Sequence, residues 1–310
     1  METSADDYLG ALQGEAEIDS TGVFTIDLER AGATLQRFQL PSAYHYGLPL
    51  VACAVVGGAE GLSIFPARHS RVIDISGLAL DFEGGGAALG YLQLALATAA
   101  RLAGTEVLGE SWDGRAGSEF RMWRGKLLYS PLEQPPWDGG LHQRTRLILT
   151  PGHVWESRLA GAARWLVGVG PASDPAAEIL KAYSRYSPVP IRLDSCELNV
   201  VRQGHWKLLG VLNRPPLQLR PLTALRQIAL EREVPFAGYL GQGVGGGGVL
   251  AIVDGLLYPL ELPGAHPEVR AIVWHSGLQR DLSLLKLVEN DELQRFRQQL
   301  GQIVGEICSG

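Results

Sequence analysis

Several things are scarce in this chain, and each scarcity removes a class of function. The three cysteines, Cys53, Cys196 and Cys308, stand far apart, with no C-x-x-C pair and no Cys/His cluster. That pattern argues against a disulfide framework and a zinc site and reads as reduced thiols. No basic run occurs and the formal net charge is −6, so the Lys/Arg footprint of nucleic-acid binding is missing. The longest apolar runs, Leu48 to Val56 and Leu89 to Leu102, fall short of the roughly 20 residues that cross a bilayer. Met1 to Asp7 is polar and acidic, without the basic and apolar regions of a secretion signal. The expectation is a cytoplasmic protein with no membrane contact.

Catalytic signatures are scarce too. There is no G-x-S-x-G, no H-E-x-x-H and no G-x-x-x-x-G-K-[ST]. No pattern sets any of the seven histidines beside a nucleophile. His45 reads as a boundary residue before an apolar helix, and His275-Ser276 as a polar pair at a strand end.

What is present is a globular balance: 310 residues, 46% hydrophobic and 19% charged, enough for two domains. Gly 39 and Pro 18 predict many turns. The N-terminal part reads as short strands, Glu15 to Ser20 and Val23 to Ile26, then a helix from Leu28 to Phe38 capped by Asp27. An apolar helix through Leu50 follows, closed by Gly57-Gly58. Strands Gly61 to Phe65 and Arg71 to Ile75 come next. After Gly84-Gly85-Gly86 comes a helix from Ala87 to Leu102, with Gly104 as its stop. Strands are then expected at Glu106 to Trp112, Glu119 to Trp123, Lys126 to Ser130 and Arg144 to Leu149.

The spacing predicts a change of unit near Thr150. Beyond it a helix Ala176 to Tyr186, started by Asp174 and Pro175, leads to a strand at Ile191 to Leu193. Strands Trp206 to Val211, Val249 to Val253, Leu256 to Leu260 and Val269 to Trp274 follow. The middle two form a hairpin over Asp254-Gly255, a type I′ signal. Helices Leu282 to Val288 and Glu292 to Ile307 close the chain, the last with Leu293, Phe296, Leu300, Ile303 and Ile307 at helical spacing.

The segment Tyr46-Gly47-Leu48-Pro49-Leu50-Val51-Ala52-Cys53-Ala54-Val55-Val56-Gly57-Gly58, with the strand after it, resembles the first long helix of the GHKL ATPases: gyrase B, MutL, histidine kinases and the ninety-kilodalton heat-shock chaperones. Ile179 to Leu193 resembles a helix–strand join in the middle domain of those chaperones. The resemblance implies an α/β fold (α+β, two-layer), a mixed sheet with helices on one face. This nucleotide-binding-like domain, residues 1–150, would be followed by a smaller α/β transducer-like domain, residues 151–310. It also implies a glutamate base, a magnesium-binding asparagine and an aspartate, where this chain has Pro49, Cys53 and Val56. The family's adenine-binding D-x-G-x-G turn falls at Ser76-Gly77-Leu78-Ala79, without the aspartate and the second glycine. Its later threonine matches Thr145, beside Gln143 rather than a glycine.

Proline cannot titrate, and a thiol is a poor ligand for a hard cation. The expectation is a pseudo-ATPase with no cofactor and no metal, acting as an interaction or scaffold component of a bacterial assembly. The alternative is a nucleotide-binding protein with non-standard contacts and a chaperone-like or regulatory role. Partners are expected to be proteins, a second copy of the chain included. Trp137, in a Pro/Gly loop, is the interface candidate, with Arg121 and Arg124 nearby. Gly84 to Gly86 reads as a permissive turn, and Gly241 to Gly248, including Gly245 and Gly246, as a mobile loop that contacts another chain.

Overall fold

The computed structural model describes residues 40–67, 70–101, 106–123, 126–137, 142–150, 175–194, 196–199, 206–217, 228–243, 248–262, 268–281 and 283–309. The expected strands and helix before Leu40, Asp174, Gly104, Arg124, Gly245 and Gly246 lie outside these.

A short 3-10 turn, Ala43–Tyr46, runs into helix α1, Gly47–Val56. This helix is apolar all round and buried from Gly47 to Ala54, as an interior helix must be. Pro49 sits in its first turn, where a missing N–H costs nothing. The helix ends with Gly57 N–H on Cys53 O at 2.9 Å and Gly58 at φ 71. Strands β1 (Gly61–Pro66) and β2 (Arg71–Ser76) form a hairpin. Helix α2, Ala87–Ala99, follows. It stops earlier than expected, with Ala100 still right-handed and its N–H on Leu96 O at 2.8 Å.

β3 (Glu106–Trp112), β4 (Gly117–Trp123), β5 (Lys126–Leu132) and β6 (Arg144–Thr150) form an antiparallel meander completed through β6 against β2. Helix α3 (Pro175–Ser184) then delivers β7 (Ile191–Leu193) and β8 (Cys196–Glu197). The first sheet has eight strands in the order β5-β4-β3-β6-β2-β1-β7-β8. The change of unit expected at Thr150 is therefore not a change of sheet. β7 pairs parallel with β1, Leu62 opposite Ile191, because the edge of β1 would otherwise leave its backbone groups unsatisfied. Asn199 fixes this return: its side chain accepts from Ile191 N–H at 2.6 Å and donates to Ser187 O and Val189 O.

The second sheet comprises β9 (Trp206–Leu212), β10 (Ile228–Leu230), β11 (Phe236–Gly243), β12 (Gly248–Val253), β13 (Leu256–Leu260) and β14 (Val269–His275), in the order β10-β9-β11-β14-β12-β13. Both central residues of the β12–β13 turn are left-handed, Asp254 at φ 46 and Gly255 at φ 81, as a type I′ turn requires. Helix α4, Asp291–Ser309, is amphipathic and buries Leu293, Phe296, Leu300, Ile303 and Val304. Asn290 caps it, its side-chain oxygen accepting from Leu293 N–H at 3.0 Å.

Two expectations for this half are corrected. Of the helix expected at Leu282 to Val288, the described residues 283–288 are not helical. The Asp281 carboxylate takes Ser283 Oγ–H at 2.6 Å and the N–H groups of Leu285 and Lys286, and Leu284 turns left-handed at φ 55. The glycine-rich stretch is also shorter than a loop from 241 to 248. Gly241 and Gly243 belong to β11 and Gly248 opens β12. In the sheet β14 lies between those two strands.

The first sheet's faces differ as alternation dictates. Ile73, Ile75, Thr145, Leu147 and Leu149 are buried on the face that meets the helices, and one core cluster runs from these residues into the second sheet and α4. The expected α+β architecture, a mixed sheet with its helices on one face, is what the structure has. Among the described residues, no helix is long and apolar enough to cross a membrane.

Candidate functional site

Pro49, Cys53 and Val56 lie at i, i+4 and i+7 and so share one stripe of α1. Pro49 and Cys53 are buried, Cys53 at 0% exposure, whereas Val56 at the end of the helix is 39% exposed. Burial pushes the Cys53 thiol up to about 12, so it remains protonated and inert. The end of β2 lies against the turn that follows α1, with Ser76 O accepting Glu60 N–H at 2.8 Å. Ser76 is exposed, its hydroxyl making one long contact to Gly61 O at 3.4 Å, and Gly77 N–H is taken by Gln143 O at 2.9 Å.

Thr145 is fully buried and is brought to Leu78: its Oγ1–H donates to Leu78 O at 2.9 Å and lies 3.2 Å from Ser111 Oγ. Ser111 Oγ in turn accepts Leu80 N–H at 2.7 Å. Of the positions picked out in sequence, Thr145 is thus joined to Leu78, two residues beyond Ser76. A Cβ on Gly57 would come 2.6 Å from Leu78 Cδ2. Leu78, Leu80 and Phe82 are buried members of the core cluster with Leu89 and Leu92.

Magnesium-ATP does not fit these residues. No carboxylate lies on the stripe to activate water, the one candidate metal ligand is a buried protonated thiol, and the hydroxyls of Ser111 and Thr145 are committed to each other and to the Leu78–Leu80 backbone. A soft, neutral thiol offers a hard cation nothing comparable to oxygen.

The outer face of the first sheet carries charge. Asp74, 6% exposed, is paired with Arg144, whose Nε donates at 2.6 Å, and Arg146 Nε lies 3.9 Å away. Arg146 stands opposite both Asp74 and Glu110, and Glu110 opposite Glu119. Burial raises the Glu110 carboxyl above its usual range, against the pull of Arg146. Trp137 is laid over both arginines, its ring centroid 5.1 Å from each guanidinium carbon. The predicted interface tryptophan is thus half-buried as a lid on Arg144 and Arg146. Arg121 is on the same sheet face by strand parity but is exposed and paired with Glu119 at 2.8 Å. Directly across from it stands Leu128, 68% exposed, and two residues on is Trp123, 53% exposed. Sequence reasoning passed over Leu128; its alternation with the buried-face Tyr129 was the available signal.

A second concave place lies at one end of the second sheet, where β11 begins and β12 and β14 end. This cleft of about 420 Å³ is lined by Phe236, Trp274, His275, Arg214, Asp254 and their neighbours, with Val55 of α1 and Pro188 on the other side. Its turn is pressed against α1: a Cβ on Gly255 would meet Val55 Cγ2 at 2.7 Å. Asp254 is held by Arg280 and by Tyr91 Oη–H at 3.3 Å, and the Arg280 guanidinium lies over the Tyr91 ring at 4.9 Å. Because Tyr91 is on α2, this cluster ties the first half of the chain to the second. His275, at the end of β14, lies between Phe236 and Phe296, and burial holds its imidazole below the ordinary value. In the sequence His275-Ser276 reads only as a polar pair at a strand end.

No protein-family model and no curated protein sequence matches the chain. Among solved structures it is similar to the B-subunit of the DNA gyrase from Myxococcus xanthus, at 12% sequence identity and a TM-score of 0.49, over 91% of this chain and 95% of that one. A likeness at that level assigns no activity.

Proposed function

We propose that this chain is a catalytically inactive GHKL-like protein that works by binding another protein, as a scaffold component of a bacterial assembly. The observation that carries the reading is Leu78. It packs on Gly57 at the end of α1, its carbonyl accepts from Thr145 Oγ1–H, and the buried hydroxyls of Thr145 and Ser111 are bonded to each other. A site for a nucleotide needs donors and acceptors left over, and these are spent.

The interaction surface in this reading is the outer face of the first sheet near β4 and β5. Trp123 and Leu128 together expose more apolar surface than a lone surface residue would, with Arg121 two residues before Trp123 on β4 and directly opposite Leu128 on β5. An exposed tryptophan beside arginine is the composition that protein interfaces favour. Trp137 supports that face from within rather than docking a partner.

Calorimetry with magnesium-ATP tests the first half of the reading, and no heat of binding is expected at millimolar nucleotide. Magnesium-dependent stabilisation of the fold would overturn it in favour of a nucleotide-binding role. For the second half, the native protein and its Trp123→Ser/Leu128→Ser variant are copurified and their partners identified by mass spectrometry. A partner retained equally by both removes this face from the proposal.

A further inference from the structure

The cleft at the end of the second sheet has a hydrogen-bond ledger that points to its ligand. Most of its polar side chains are spent. The Asp254 carboxylate is taken by Arg280 and Tyr91. Asn213 donates to Phe236 O at 2.7 Å and accepts from Arg232 N–H at 3.0 Å. Trp274 Nε1–H donates to Tyr186 O at 3.1 Å. His275 Nδ1 accepts from Gly277 N–H at 3.0 Å, which puts the proton of a neutral ring on Nε2.

Three groups are left with no side-chain partner among the described residues: the Arg214 guanidinium, His275 Nε2–H and the Ser276 hydroxyl. One is a cation, one a neutral donor, and the third can donate. The acid of the lining, Asp254, is paired with Arg280, and Glu292, which acts on His275 from α4, lies outside the lining, so Arg214 is the charge that the lining itself leaves uncompensated. Around these groups the lining is Trp274, Phe236, Ile252 and the rings of Pro188 and Pro235. A cleft of this size, mostly apolar with a few polar groups on its lining, has the anatomy of a small-ligand site.

We propose that this cleft binds a small carboxylate-bearing ligand with a flat apolar body. The carboxylate is received by Arg214 and His275 Nε2–H, and the body lies against Trp274 and the proline rings. Arg214 supplies the charge and a fork that matches a carboxylate. His275 supplies orientation, burial favouring its neutral ring against the opposing pull of Glu292. This inference is independent of the filling of the Leu78 region and of the outer sheet face.

The test uses the full chain and two probes of one shape, indole-3-acetate and its neutral counterpart indole-3-acetamide, followed by saturation-transfer NMR and thermal shift. The acid is expected to bind with a sub-millimolar dissociation constant, and the amide at least about tenfold more weakly, a difference of about 1.4 kcal/mol. Arg214→Gln, an exposed substitution, should remove that preference for the acid while leaving amide binding and the melting temperature unchanged. Equal binding of acid and amide, an unaffected Arg214→Gln variant, or no transfer to either probe would overturn the proposal. A third probe, a tetrapeptide ending in Trp with a free or an amidated C-terminus, separates the sources of the carboxylate. If the free-acid peptide binds more than about tenfold tighter than indole-3-acetate, the site takes protein C-termini and the small-ligand assignment falls.

Discussion

The surroundings of Leu78 and the cleft beside Trp274 are built from the same kinds of parts, a strand end, a glycine turn, a serine and a wall contributed by α1. Their outcomes are opposite. At Leu78 the hydroxyls of Ser111 and Thr145 bond to each other and to the backbone, and leucine side chains fill what space remains. At Trp274 the polar groups outnumber their internal partners, and apolar rings leave a volume of about 420 Å³. The difference is not residue chemistry but whether the local hydrogen bonds close among themselves. A closed set makes a core, and an open set leaves a surface for something else.

The largest effect is expected where the comparison says charge cannot go. Cys53→Asp places a carboxylate at a position with 0% exposure. Without a partner it should cost about 4 kcal/mol or more at pH 7, or abolish folding. Chemical denaturation at two pH values checks it, and the loss should shrink as the carboxyl is protonated in acid. A tolerated Cys53→Asp would show that water or a cation reaches α1, and the contrast with the cleft would disappear.

Leu78→Ala comes next. Removing a buried leucine that packs on Gly57 should cost about 3 kcal/mol by transfer and cavity terms together. The matching change at the open cleft, Arg214→Ala, should stay within about 0.5 kcal/mol. Urea unfolding of both variants sets the two numbers side by side. Similar losses would mean that the cleft is as much a packed core as the Leu78 region.

How much of this was legible in the sequence follows from how local each feature is. Helix α1 was legible because ten apolar or small residues run unbroken to a glycine pair, and α4 because its apolar positions recur at three and four. The hairpin at Asp254-Gly255 was legible because only such residues take two left-handed positions in a row. The parallel pairing of β7 with β1 was not, since residues 62 and 191 meet only in the folded sheet. The false helix at Leu282 to Val288 shows a limit of periodicity: Leu284, Leu285 and Leu287 have helical spacing, but Asp281 captures the backbone N–H groups that a helix would use. For the candidate site, Cys53, Ser76 and Thr145 could be named from order alone. That Leu78 packs on Gly57 and takes the Thr145 hydroxyl could not, because nothing marks one leucine among many. The cleft was invisible for the same reason, being assembled from Val55 of α1 and from strand ends and turns between residues 188 and 276.

The wall between the two places should respond to Asp254→Asn. Asparagine keeps the left-handed backbone of the turn at φ 46, so the change isolates charge. It leaves Arg280, whose side chain is 6% exposed and whose Nη1 has no partner among the described residues, without its anion. A loss of about 2 kcal/mol is expected, with faster amide exchange in the β12–β13 turn and in α2. Uniform exchange rates in the variant would show that the cluster does not join the halves.

The smallest effect concerns His275. Burial lowers its folded-state pKa below the unfolded value near 6.5, so the unfolded chain binds the proton more readily. A lowered pKa means stability is complete above that value and falls as pH drops below it, because folding must then exclude a proton. His45 is lowered for the same first reason and contributes in the same window. The melting temperature should therefore decline from pH 7.5 to pH 5.5, and His275→Gln should flatten that decline by roughly 2 °C relative to the parent, whatever it costs in packing at both pH values. His45→Gln measures the background contribution. An unchanged pH slope in His275→Gln would mean that the ring is solvated through the cleft and already charges freely, which would also remove the neutral donor that a carboxylate ligand is expected to use.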